Sequence, residues 1–256
     1  MPRGCLLMWG AFSRADWLDV FTMSSKRPSI AEPDYIGPLD ELRMAAANIG
    51  VRVLDLREHD RTVDYRPKDR CEQDGHDFGA WGYFRGDEPK KNVPKRAKSR
   101  GVIPWEKLTG IMLHITAVKM AAPRFLGTPV QTGISDSGDI VLCHPINAKL
   151  WHGHAANSFT CGIEVSSKSG EISGVQGEAL RALIRYIHDE RQENHRGQMV
   201  IMGHRQSHRS RVNDPGPDVW HAGAEWAINE LGIKVGPVVG SGKDIPAEWR
   251  EPWVSV

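Results

Sequence analysis

The chain has almost no excess of charge of either sign. Lys and Arg number 33 against 32 Asp and Glu, a formal net charge of +1. That balance argues against a general nucleic-acid or membrane-surface binder, because both partners select a strong basic excess. A long apolar run is also missing, and nothing approaches the roughly 20 apolar residues that cross a bilayer. Near the N-terminus the apolar stretch Cys5 to Trp9 is soon interrupted by Arg14, Asp16 and Asp19. This is too short for the core of a secretory signal, so none is expected, and Met23 is a second candidate start. The cysteines are Cys5, Cys71, Cys143 and Cys161, with no C-x-x-C pair. A zinc ribbon is therefore excluded and a disulfide framework is not expected. Cys143 and Cys161 lie in apolar, strand-like runs and read as small buried hydrophobes. Internal repeats are absent too.

What is present is ordinary globular patterning: 256 residues, 40% hydrophobic and 25% charged. That length accommodates one large domain, or a catalytic domain with a small companion. Residues 1–38 read as an irregular lead-in, polar and Pro-rich from 24. Leu39, Leu42, Ala46 and Ile49 then recur at helical spacing, with Gly50 as the stop. Residues 51–56 (VRVLDL) predict a short strand. The stretch 57–100 is charged and aromatic without a clear period. It ends in a basic run from Lys90 to Arg100 that reads as a solvated loop. Together, residues 39–104 form an N-terminal extension or cap.

From residue 105 the pattern is strong. Strands are predicted at 111–116 (IMLHIT), 161–165 (CGIEV) and 199–202 (MVIM), and a turn at Asp136–Asp139 feeds another through Cys143. Ser173 and Gln176 have capping-box spacing. They open a helix with Ala179, Leu180, Leu183, Ile184 and Ile187 on one face. A last helix runs from about Ala222 to Leu231, with Gly232 after it. Strands alternating with helices indicate an α/β fold. The domain spans 105–232, followed by a Gly/Pro-rich tail, 233–256, with Trp249 and Trp253 placed to dock back on the body.

Three polar residues stand where apolar strands run out. His114 lies within IMLHIT, His204 closes VIMGH, and Asp214 opens DPGP. Alone, each has an ordinary explanation: a hydrogen-bonded core histidine, or a turn aspartate. As a set, two imidazoles and a carboxylate match the three protein ligands of a hydrolytic zinc site, whose fourth position is left for water.

The ordered segments also resemble a family, the type 2 N-acetylmuramoyl-L-alanine amidases, which include phage lysozyme-amidases and peptidoglycan recognition proteins. Residues 113–117 (LHITA) match the first-ligand strand and 135–140 (SDSGDI) the central hairpin. Residues 151–155 (WHGHA) match the W-H segment, 162–165 (GIEV) the G-I-E strand, and 203–205 (GHR) and 214–217 (DPGP) the remaining ligand segments. The resemblance covers about 105–232. It implies a mixed central β-sheet flanked by helices, with Zn2+ in a groove at one face and peptidoglycan or a muropeptide as substrate. A monomer is expected.

Within the family the third ligand is cysteine or aspartate, and here it is Asp214, ten residues after His204. The aspartate branch implies that Glu164 shuttles the proton. Alternation places Glu164 on the opposite face of its strand from Ile163 and Val165. His152 and His154 are candidates for the substrate groove, and His152 matches the family's histidine best. Two departures stand out. The lysine that many members carry two positions before the third ligand is Val212 here, and the tyrosine of some phage members aligns near Val130. An arginine (Arg205, Arg209 or Arg211), His208 or His152 would then have to hold the oxyanion.

The function implied is hydrolysis of the muramoyl–L-alanine amide. Roughly 100 residues precede the motifs, where recycling amidases are compact, which favours an endolysin acting on the wall after release. The alternatives are an inactive peptidoglycan-binding module, a cytoplasmic recycling amidase, and a hydrolase of another amide.

Overall fold

A computed structural model describes residues 36–57, 97 and 99–250. Cys5, Cys71, Met23, Trp253 and nearly all of the basic run lie outside them. One sheet organises the rest. Its strands are β1 (Val53–Asp55), β2 (Gly110–Ile115), β3 (Thr132–Ile134), β4 (Ile140–Leu142), β5 (Thr160–Val165), β6 (Val200–Gly203) and β7 (Lys234–Val235), in the order β1-β4-β3-β5-β2-β6-β7. Among the described strands only the β3–β4 pair is antiparallel, so the sheet is mixed, as the family resemblance implies. The 38–57 segment is integral to it, because β1 pairs with β4. The tail is integral too: β7 extends the sheet beside β6, and Trp249 is buried.

The helices are α1 (Pro38–Asn48), α2 (Gly174–Asn194) and α3, which runs from Pro217 to Leu231 with a π-helical middle at Trp220–Glu225. α1 opens with Pro38 and acidic Asp40 and Glu41, which suit its positive end. Gly50, at φ +74°, lets the chain turn away after it. The predicted capping box opens α2: Gln176 N donates to Ser173 Oγ (3.2 Å) and Ser173 N to Gln176 Oε1 (3.0 Å). The Gln176 amide also donates to Ser135 O and Ser166 O, tying the helix to the ends of β3 and β5. Gly232, at φ +65°, ends α3, which begins five residues before the predicted Ala222.

Alternation along the strands sorts the core. Ile111, Leu113, Cys161, Ile163, Val165 and Ile201 face the helices and meet Leu180, Leu183, Ile184, Ile187 and Trp220. Each such side chain, fully buried, contributes roughly 1.5–3 kcal/mol. Cys143 and Cys161 are buried free thiols. The opposite face carries smaller apolar groups, Met112 with Ala156 and Met202, and Leu54 with Phe125 and Val141. His114 and Glu164 have the parity of that second face.

Candidate functional site

His114 and Glu164 are register partners across the parallel β2–β5 pair. Side chains of such partners leave the sheet on the same side. His114 is 2% exposed. Its Nδ1 is 2.9 Å from His204 Nδ1, and its Nε2 is 3.0 Å from His152 Nδ1. His152 in turn places Nε2 3.2 Å from Thr160 O.

A carbonyl can only accept, so that contact fixes the protonation of the whole chain of groups. His152 carries its proton on Nε2 and accepts at Nδ1. His114 donates from Nε2, and its Nδ1 is left with a lone pair facing His204. The neighbourhood of His152 is built for this. Gly162, on β5, has no side chain, and a Cβ there would stand 2.7 Å from His152 Nδ1. Asn157 Oδ1 accepts from the backbone N–H of His152 (2.9 Å) and of Gly153 (2.6 Å). Asn157 and Thr160 escaped the sequence reading, since one works through a turn and the other through its backbone carbonyl.

His204 and Asp214 come from the chain after β6. Ile115 N, at the end of β2, donates to Asp214 Oδ1 (3.0 Å), which turns Oδ2 toward His204 Nδ1 at 2.9 Å. The backbone of Asp214 is held at both ends: its N–H donates to Arg211 O, and its C=O accepts from Arg205 N. The donor atoms of His114, His204 and Asp214 lie within 4.8 Å of one another. Two imidazole nitrogens and one carboxylate oxygen, closing on one point, fit zinc as a ligand set. Burial, reinforced by His204, His152 and Arg211, holds the His114 pKa well below its usual value. Burial likewise brings His152 down to about 4. Both rings are therefore neutral, the form that ligates a metal.

Glu164 is partly accessible to solvent, but its carboxyl is shielded enough that burial raises its pKa to about 8. Asp214 adds to the rise and Arg211 opposes it. A dication among the ligands would pull it back down. Arg211 is exposed, and its charge acts on His114, His154 and Glu164 alike.

The other expected site residues fall in different places. His154 is exposed, at φ +50°. Its ring lies 5.5 Å from that of His204 and stacks on His208 at 4.2 Å. His208 Nδ1 is fixed by the Ser210 hydroxyl at 2.7 Å. Arg205 is buried: its guanidinium donates to Val212 O and lies 4.9 Å from the centre of the Trp249 ring. That makes it a brace under the loop. Val212 is 43% exposed and Val130 is buried, so neither departure is offset by a polar group at the same position.

Residues 104–217 match the N-acetylmuramoyl-L-alanine amidase family. No curated protein matches the chain. Among solved structures, an endolysin N-acetylmuramoyl-L-alanine amidase, LysCS from Clostridium intestinale URNW, is 18% identical, covering 58% of this chain and 100% of its own, with a TM-score of 0.42. Human PGRP-IBETAC, in complex with glycosamyl muramyl pentapeptide, is 12% identical over 54% of this chain and 93% of its own, at 0.41. The endolysin of the Thermus scotoductus MAT2119 bacteriophage Ph2119 is 16% identical over 67% and 99%, at 0.37. The matched segment encloses His114, His204, Asp214 and Glu164, so the part of the chain that forms the candidate site is the part similar to the N-acetylmuramoyl-L-alanine amidase family.

Proposed function

We propose that the chain is a zinc amidase that cleaves the bond between the lactyl carbonyl of N-acetylmuramic acid and L-alanine in peptidoglycan. The observation that carries this reading is the convergence of His114 Nδ1, His204 Nδ1 and Asp214 Oδ2 on one point, with Glu164 on the same face of the sheet. When bound by these three residues, zinc supplies Lewis acidity, polarising a carbonyl and acidifying water.

The chain's own groups do the rest. Glu164 takes the proton of the attacking water and returns it to the alanine nitrogen as the amide bond breaks. Arg211 neutralises the developing oxyanion in place of the family's lysine, because among the described residues it is a cation three positions before Asp214 whose charge acts on both Glu164 and His114. His152 positions rather than reacts: both its ring nitrogens are engaged, and it holds His114 in the ligating tautomer. His154 and His208 form an imidazole stack beside His204, suited to substrate contact. The setting this favours is lysis of the cell wall by an endolysin-like enzyme.

The test is release of new L-alanine amino groups from purified peptidoglycan. Release should stop with a chelator and return with zinc. Tight binding without release, confirmed by mass spectrometry of the muropeptides, would instead establish a binding module. The valines at positions 212 and 130 favour that second reading.

A further inference from the structure

The segment that carries His152 also carries an aromatic that amide hydrolysis does not use. Residues 99–103 and 147–151 run side by side in opposite directions. Ile103 N donates to Asn147 O (2.7 Å), Lys149 N to Gly101 O (2.9 Å) and Arg100 N to Lys149 O (2.8 Å), and Val102 bridges Ala148. Ile103, Ala148 and Leu150 are buried, while Val102 and Trp151 are 67% and 59% exposed. The Arg100 guanidinium lies over the Trp151 ring, 4.6 Å from its centre. A cation on one ring face holds the indole in place and leaves the other face available.

Single exposed apolar residues are common and signify little. Trp151 differs in its setting. It is pinned by Arg100, and it immediately precedes His152, whose ring touches His114. His154, outward again after buried His152, stands beside His204. One short stretch thus presents an aromatic to solvent on each side of the residue that supports the first metal ligand.

We infer that Trp151, backed by Arg100, is a saccharide platform for the glycan strand of the wall polymer, continuing from the muramic acid whose amide is cut. This rests on the amidase reading. A pyranose ring shows a face of C–H groups that is apolar and slightly positive, and it stacks on the negative face of an indole. The peptide stem, rich in carboxylates and amides, needs charges and hydrogen-bond partners instead. Trp offers a single N–H donor, and the Arg100 guanidinium is placed over the ring.

The experiment measures retention of the full chain on purified sacculi stripped of anionic polymers, alongside hydrolysis of a soluble single-sugar muramoyl-peptide. Trp151→Ala should weaken retention about tenfold, whereas Trp151→Phe should stay within about twofold of wild type and Arg100→Ala should fall between them. The loss of cleavage should be larger on the polymer than on the single-sugar substrate, with zinc content unchanged. Wild-type retention by Trp151→Ala overturns the platform. So does failure of the unmodified chain to bind stripped sacculi, which would assign any wall affinity to the anionic polymers. Equal losses on both substrates overturn it as well, and would make Trp151 a support for His152. Retention is read without turnover, so an unmodified chain that binds but does not hydrolyse sinks the amidase reading while the retention contrast still decides this one.

Discussion

The two halves of the candidate metal site are built differently. His114, with Glu164 opposite, sits on β2 and β5, inner strands paired on both edges. His204 and Asp214 sit on a loop that takes its shape from a distant stretch of chain. Val239 N donates to Gln206 O, Lys243 N to Arg205 O, and the Gln206 amide to Gly236 O. Gly242 packs so closely that a Cβ there would stand 2.0 Å from Gln206 O. Half of the site is therefore fixed by the sheet ladder and half by the tail. Such a division predicts that perturbing the first half changes the chemistry locally, and perturbing the second changes how well the ligands are held together.

The largest effects should come from the ligands themselves. His114→Ala and Asp214→Ala are each expected to lose most bound zinc and nearly all hydrolysis, read by elemental analysis beside amine release. Asp214→Ala also leaves Ile115 N without its carboxylate partner, so its loop should be digested faster by a protease. Full metal occupancy in either variant would remove that residue from the ligand set.

Next is Glu164→Ala. General acid–base groups contribute about 10²–10⁴-fold, and a loss in that range is expected with zinc and substrate binding retained. Turnover like that of the parent chain would end the proton-shuttle assignment. The effect of Arg211→Ala should be smaller, because its guanidinium is exposed. A fall of about tenfold to a hundredfold in kcat is expected, below the full value of a buried oxyanion donor. Arg211→Lys should recover part of it. Equal kcat in Arg211→Ala would leave Glu164 and the metal to stabilise the oxyanion by themselves.

This difference between the halves is also what made one of them easy to read in the sequence. β2, β5, β6 and α2 were legible because alternation, a capping box and apolar runs are local signals. Alternation alone turns Glu164 away from Ile163 and Val165, whereas the face it shares with His114 follows from the β2–β5 register. The grouping of His114 with His204 and Asp214 rests on residue type at strand ends and on the family's segment order, and local pattern gives no sign of the backbone bond from Ile115 to Asp214. Arg205 shows the limit most clearly. Its sequence position beside a ligand suggests substrate contact, yet it is buried by Trp249, forty-four residues away (249 − 205 = 44). The role of His152 was hidden for a similar reason. It depends on Thr160 O and on the empty space at Gly162, neither of which is a property of residue 152.

The smallest expected effect on turnover is the one that sharpens the contrast most. Trp249 is 6% exposed and packs both on the main core and over Arg205. Trp249→Ala should cost about 3–5 kcal/mol of stability. Leu42→Ala, in the same core but on α1, should cost a comparable amount, about 2–5 kcal/mol. Both variants should melt earlier. They should part company in zinc affinity measured below either transition. Arg205 supports Asp214 through its N–H and Val212 through its guanidinium, so releasing it loosens the loop-borne ligands. Leu42→Ala has no such route to the site. Several-fold weaker zinc binding in Trp249→Ala, with an unchanged affinity in Leu42→Ala, is the expected result. Equal affinities would mean that the loop keeps its shape without the tail, and that the two halves of the cluster are equally self-sufficient.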